Sequence, residues 1–158
     1  MKMNMISAAL AAATVLGVIG CCGTNEVGYE KVEMKKGYAL VEGGRDSLRL
    51  DISLQFPKNG LVEEARKAVC EGIISDALGE VFCGMTPQEA VNGYADETLK
   101  NYREANLEFV GQVAANPEDR EEDEWDIFTW DFTIEGRGEG EYNGILAYTI
   151  TKYSYTGG

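Results

Sequence analysis

The chain predicts an α+β fold, an antiparallel sheet with two helices packed on one face, in the order strand, strand, helix, helix, hairpin. Three observations predict it. Leu48, Leu50, Ile52 and Leu54 alternate with Ser47, Arg49, Asp51 and Ser53, the period of a half-buried strand. Between Leu61 and about Phe109 the apolar residues instead recur at three- and four-residue steps, in two stretches separated by Thr86-Pro87. The end of the chain returns to β-branched and aromatic residues, in two runs on either side of Asn143-Gly144, a preferred hairpin turn. Strands, then helices, then strands is the pattern of a sheet with its helices segregated to one side.

The first element is not part of that domain. Lys2 precedes an apolar or small-residue run from Met5 to Gly20, and Val18-Ile19-Gly20-Cys21 reads as a bacterial lipobox. Residues 1–20 are therefore expected to be a lipoprotein signal peptide, with Cys21 the lipidated N-terminus after cleavage. A retained membrane span fits less well. The run is shorter than the roughly 20 apolar residues needed to cross a bilayer, and Gly17 and Gly20 interrupt it. Acyl chains contribute roughly 0.8 kcal/mol per buried CH₂, so the chains of a bacterial lipoprotein hold it stably. The expected address is the cell membrane, inner or outer, facing the periplasm or the surface. Polar residues from Cys21 to Gly37 read as a flexible tether, and residues 38–158 as one domain.

Tyr38-Ala39-Leu40-Val41 is a short apolar run, and Glu42-Gly43-Gly44-Arg45-Asp46 signals the turn into the alternating strand, which Phe56-Pro57 closes. Asn59 is placed to cap the first helix, with Glu63 and Glu64 in its positive first turn. Leu61, Ala65, Ala68, Val69, Ile73 and Ala77 form its apolar stripe, and Gly79 is placed to end it. Thr86-Pro87-Gln88-Glu89 is a helix start: Thr86 caps, Pro87 takes the first position, and Glu89 completes a capping box. This second helix is the more polar and is expected on the outside of the layer. The acid-rich run from Glu118 to Glu124 lacks the alternating ligands and central glycine of a calcium loop, so it reads as solvated. Phe128, Trp130, Phe132 and Ile134 share one face of a strand, and residues 145–155 supply its partner.

Composition narrows the function. Removing the leader takes away Lys2 alone, leaving 13 basic against 27 acidic residues, a net charge of −14. Nucleic acid is excluded as a partner, because its affinity rests on neutralising phosphates. Histidine is absent from the chain, which removes the commonest general base, the commonest nucleophile activator and the commonest zinc ligand. Carboxylate pairs such as Asp126 with Asp131, or Glu139 with Glu141, are expected by chance in so acidic a chain. No enzyme, metal or cofactor is expected, and no phosphate-cradling glycine loop or paired CxxC is present. Cys70 lies about nine residues, or roughly 13 Å, before the end of its helix, and the residues from Glu80 to Cys83 have the reach to bring Cys83 back to it. A Cys70–Cys83 disulfide and two separate thiols both stay open. Tyr148, Tyr153 and Tyr155, with Trp125 and Trp130, offer aromatic surface to a glycan or protein partner, and the last strand offers an edge for a partner strand or a homodimer.

Several of these residues resemble a known family. Gly144-Ile145-Leu146-Ala147-Tyr148, Tyr153-Ser154-Tyr155-Thr156-Gly157-Gly158, the stretch Leu50 to Pro57 and Thr86-Pro87-Gln88-Glu89-Ala90-Val91 are similar to the PdaC/RsiV-like domain, a domain of unknown function in bacterial envelope proteins, over residues 38–158. The resemblance implies a secreted or membrane-anchored protein and carries over no catalytic residue. In that family the Gly-Gly leads through Ala-His into a second domain, found beside peptidoglycan deacetylases and in lysozyme-sensing anti-sigma factors. The expectation is the N-terminal domain alone, in a truncated or minimal form, with an envelope protein or peptidoglycan glycan as partner.

Overall fold

The structure is a computed structural model that describes residues 9–17, 26–42, 46–115, 128–142 and 145–156. Its elements are β1 (Ala9–Gly17), β2 (Gly28–Ala39), β3 (Ser47–Asn59), α1 (Glu63–Ala77), a short 3-10 turn (Glu80–Phe82), α2 (Pro87–Ala115), β4 (Trp130–Tyr142) and β5 (Ile145–Tyr155). The sheet runs β1-β5-β4-β3-β2. The α+β class and the order strand, strand, helix, helix, hairpin for residues 28–155 agree with the sequence reading. The acidic run and the Asn143-Gly144 turn lie outside the described residues.

The alternation in β3 sets the architecture. Leu48, Leu50, Ile52, Leu54 and Phe56 are at most 1% exposed and line the face that α1 and α2 cover, joined by Ile134, Leu146, Tyr148 and Ile150 from β4 and β5. Removing each such side chain from water contributes roughly 1.5–3 kcal/mol, so this face holds the fold together. α1 lies over β3, β4 and β5 and supplies Val69, Ile73, Ile74 and Ala77. α2 lies over β2 and β3 and supplies Ala90, Val91, Ala95 and Tyr102. Both helices therefore touch the sheet directly, and the expectation that α2 sits outside the layer is corrected. Its small residues let it approach the strands closely despite its polar composition.

Three other expectations are revised. The sheet is mixed: β3 and β4 pair in parallel from Leu48↔Trp130 to Leu54↔Gly136, while the other pairs are antiparallel. The two-helix crossover over one face returns the chain to the end of the sheet where β3 begins, as a parallel neighbour requires. Residues 28–37, read as tether, are most of β2, whose Val32 and Met34 pair with Leu54 and Ile52 and pack against the core. Its dense charges hid a strand that buries only part of one face. Asn59 does not cap α1; its side-chain oxygen accepts the Gly28 amide at 2.9 Å, fastening the start of β2 to the end of β3, and Val62 takes the cap position without a side-chain bond. Residues 9–17, the apolar run of the expected leader, pair antiparallel with β5 from Ala9↔Tyr153 to Gly17↔Ile145.

The expected stop and start between the helices hold. Gly79, at φ 119°, donates to the Ile74 and Ser75 carbonyls and ends α1 in a conformation that disfavours other residues. At the start of α2 the Thr86 amide and hydroxyl donate to the Glu89 carboxylate at 3.0 and 2.7 Å, and the Glu89 amide returns a bond to the Thr86 hydroxyl at 3.3 Å. That is a complete capping box. Helix α2 then runs to Ala115, beyond the expected end near Phe109.

Candidate functional site: the uncovered sheet face

Because side chains alternate along a strand, the residues between the core positions emerge on the opposite face. No described helix lies there. Strand register arranges that face in rows. Lys31 pairs with Gln55, and Arg137 with Thr149; Glu33 pairs with Ser53, Ser53 with Glu135, and Glu135 with Thr151. Lys35, Asp51, Thr133 and Tyr153 make the next row, and Gly37, Arg49, Asp131 and Tyr155 the last. The face is almost wholly polar.

Two shallow depressions open on it. The first, about 350 Å³, is lined by Lys31, Ser53, Gln55, Arg137, Thr149 and Thr151 among others. The second, about 380 Å³, is lined by Lys35, Arg49, Asp51, Asp131 and Thr133. Charges on this face neutralise one another locally. Lys31 pairs with Glu33, Lys35 with Asp51 at 2.7 Å, and Arg137 with Glu139 at 2.7 Å. The Asp51 carboxylate, by hydrogen bond and charge, raises the Lys35 ammonium above its ordinary range. A bulge between Gly138 and Gly140 places Glu139 beside Arg137, and Arg137 and Thr149 hold its carboxyl below the usual range. A carboxylate stabilised in its ionised form is poorly suited to proton donation. What the face offers a ligand is a field of hydroxyls, an amide and paired charges: hydrogen bonding without net electrostatic attraction.

The tyrosines expected to act together divide between the two faces. Tyr153 and Tyr155 are half-buried on the uncovered face. Tyr148 is 2% exposed on the helix-covered face, where its hydroxyl donates to the Gln55 carbonyl at 2.7 Å and burial pushes its ionisation upward. Tyr148 is a core residue and is withdrawn as a contact. Trp130 also belongs to the covered side, edge-on to Tyr102 at 5.4 Å. Cys70 and Cys83 are free thiols, so the disulfide alternative is corrected. The turn after α1 does bring Cys83 back, but its sulfur faces the Glu71 carbonyl at 3.9 Å, while Cys70 is half-buried with its thiol pushed up by burial. Cys21, Trp125 and Asp126 lie outside the described residues. The residues missed by sequence reasoning are Lys31, Gln55, Arg137, Thr149 and Thr151. The signal was present in the polar half of the β3 alternation, but its neighbours in the rows appear only once the strand order is known.

Comparison with known proteins adds one finding. No protein-family model and no curated protein matches the sequence. A crystal structure of a member of the DUF3298 family from Bacteroides fragilis is similar to this chain, with a TM-score of 0.67 and 20% identity, covering 85% of this chain and 53% of its own. The chain thus spans about half the length of that protein, and at this identity the likeness concerns the fold. DUF3298 is the domain associated with PdaC/RsiV-like proteins, the family that the sequence resembles.

Proposed function

We propose that this protein is a lipid-anchored binding module of the bacterial cell envelope, non-enzymatic, whose uncovered sheet face meets the ligand. The observation that carries the reading is the asymmetry of the sheet. One face is filled by the helices and the other presents rows of hydroxyl, amide and paired charged groups with two depressions. The lipobox at Cys21 supports attachment through lipid, with residues 1–20 removed. On that reading β1 belongs to the precursor, and the mature sheet consists of β2 to β5.

Tyr153 and Tyr155, next to the hydroxyls of Thr149 and Thr151, favour a glycan as the ligand. Tyrosine rings on an exposed sheet stack on the apolar faces of sugars, while the surrounding hydroxyls and amide bond to the sugar's own. Peptidoglycan is the glycan available at that address. Amide chemical-shift mapping during titration with soluble peptidoglycan fragments tests this. Shifts at Thr149, Thr151, Tyr153 and Tyr155 are expected, with Val69 and Ile73 unmoved. No movement on the face at millimolar ligand contradicts the glycan reading. Tryptophan fluorescence is a weaker reporter, because Trp130 packs on the helix side.

A further inference from the structure

The sheet has two outer strands once β1 is set aside, and they are built differently. β2 carries Glu30, Lys31, Glu33, Lys35 and Lys36 within seven positions, the dense charge that keeps an edge from pairing with another chain. β5, Ile145 to Tyr155, carries one charge, Lys152, in eleven residues. An edge of that length with a single charge is poorly protected unless something covers it. With residues 9–17 in place something does: β1 pairs with β5 along Ala9 to Gly17. The same apolar segment is the leader that the proposed function removes, and its removal bares the edge.

We infer that the β5 edge is a strand-pairing interface, occupied by β1 in the precursor and by the β5 of a second copy in the mature protein. This rests on the reading that residues 1–20 are cleaved. The sequence of β5 is complementary to itself. About a twofold axis at Ile150, perpendicular to the sheet, Thr149 stands opposite Thr151 of the other copy, Ala147 opposite Tyr153, and Tyr148 opposite Lys152. No like charges oppose each other, a threonine pair is a favourable cross-strand match, and the small Ala147 faces the Tyr153 ring. The precursor pairing likewise sets a small residue opposite that ring, Ala9 against Tyr153. Both helix layers then lie on one side of a continuous sheet, and both uncovered faces on the other. Confinement of the anchored chains to one membrane raises their effective concentration for this pairing.

The test uses the full chain expressed in a bacterium, recovered from membranes in detergent, its processing read by intact mass and its association by sedimentation at low and high salt. The cleaved wild-type chain is expected to be a dimer insensitive to salt. Cys21→Ser, which leaves β1 attached, is expected to be monomeric. Placing lysines at both positions, Thr149→Lys with Thr151→Lys, opposes two pairs of like charges and should weaken the dimer roughly tenfold or more. Thr149→Lys with Thr151→Glu opposes Lys to Glu and should restore it, so this second variant also controls for folding. A cleaved wild-type monomer, or a dimer that survives the double-lysine change, overturns the inference while leaving the anchoring intact. A wild-type chain that retains residues 1–20 overturns the leader reading itself, and this inference with it.

Discussion

Two buried tyrosine hydroxyls are treated differently by the fold. Tyr148 donates to the Gln55 carbonyl at 2.7 Å, whereas the Tyr29 hydroxyl is buried with no hydrogen-bond partner among the described residues. A buried polar group left unpaired costs about 1–3 kcal/mol, and a satisfied one contributes about 1 kcal/mol. Tyr29→Phe should therefore raise stability by about 1 kcal/mol, and Tyr148→Phe should lower it by a similar amount, both read from urea midpoints. Two glycines make room for these rings. A Cβ at Gly138 would collide with the Tyr29 ring, and one at Gly136 would sit 2.5 Å from the Tyr148 hydroxyl and 2.7 Å from Leu54. Gly138→Ala is expected to cost about 1–3 kcal/mol as overpacking, and combining it with Tyr29→Ala should recover much of that loss. Neither role was legible in the sequence. A glycine in a strand signals close approach by something, but it does not name a ring on a strand two places away.

At the scale of elements, local chemistry was legible wherever a motif closed on itself. The Thr86-Pro87-Gln88-Glu89 box is made within four residues, and the structure forms every bond it predicts. Thr86→Ala should cost about 1 kcal/mol. The Thr86 hydroxyl and amide hold the Glu89 carboxyl below its ordinary value of 4.5. This contribution is therefore fully present above that value and is lost as pH falls through the lowered one. In Glu89→Gln this acid-limb dependence should disappear from the urea midpoints. The leucine alternation in β3 was legible for the same reason, since a period of two needs no knowledge of neighbours. β2 was not: its charges matched those of a solvated tether, and only pairing with β3, including Asn59 to Gly28, makes it a strand. Asn59 itself shows the limit, because a residue able to cap a helix is equally able to fasten a strand.

The arrangement of the whole molecule depends on contacts between residues distant in sequence. The parallel β3–β4 pair and the direct seating of α2 on the sheet both follow from how the helical crossover spans one face, and no local pattern encodes that path. What the path creates is a sheet covered on one side only, with the rows of Lys31, Gln55, Arg137 and Thr149 and their neighbours assembled on the other. On the proposed function this body is tied by lipid at Cys21, its leader gone, its polar face free and its β5 edge open to a second copy. The intact mass of the chain recovered from bacterial membranes tests this most directly. The account predicts residues 21–158 carrying a lipid adduct, both the adduct and the cleavage being lost in Cys21→Ser. Recovery of the unmodified 158-residue chain from wild-type cells would contradict it.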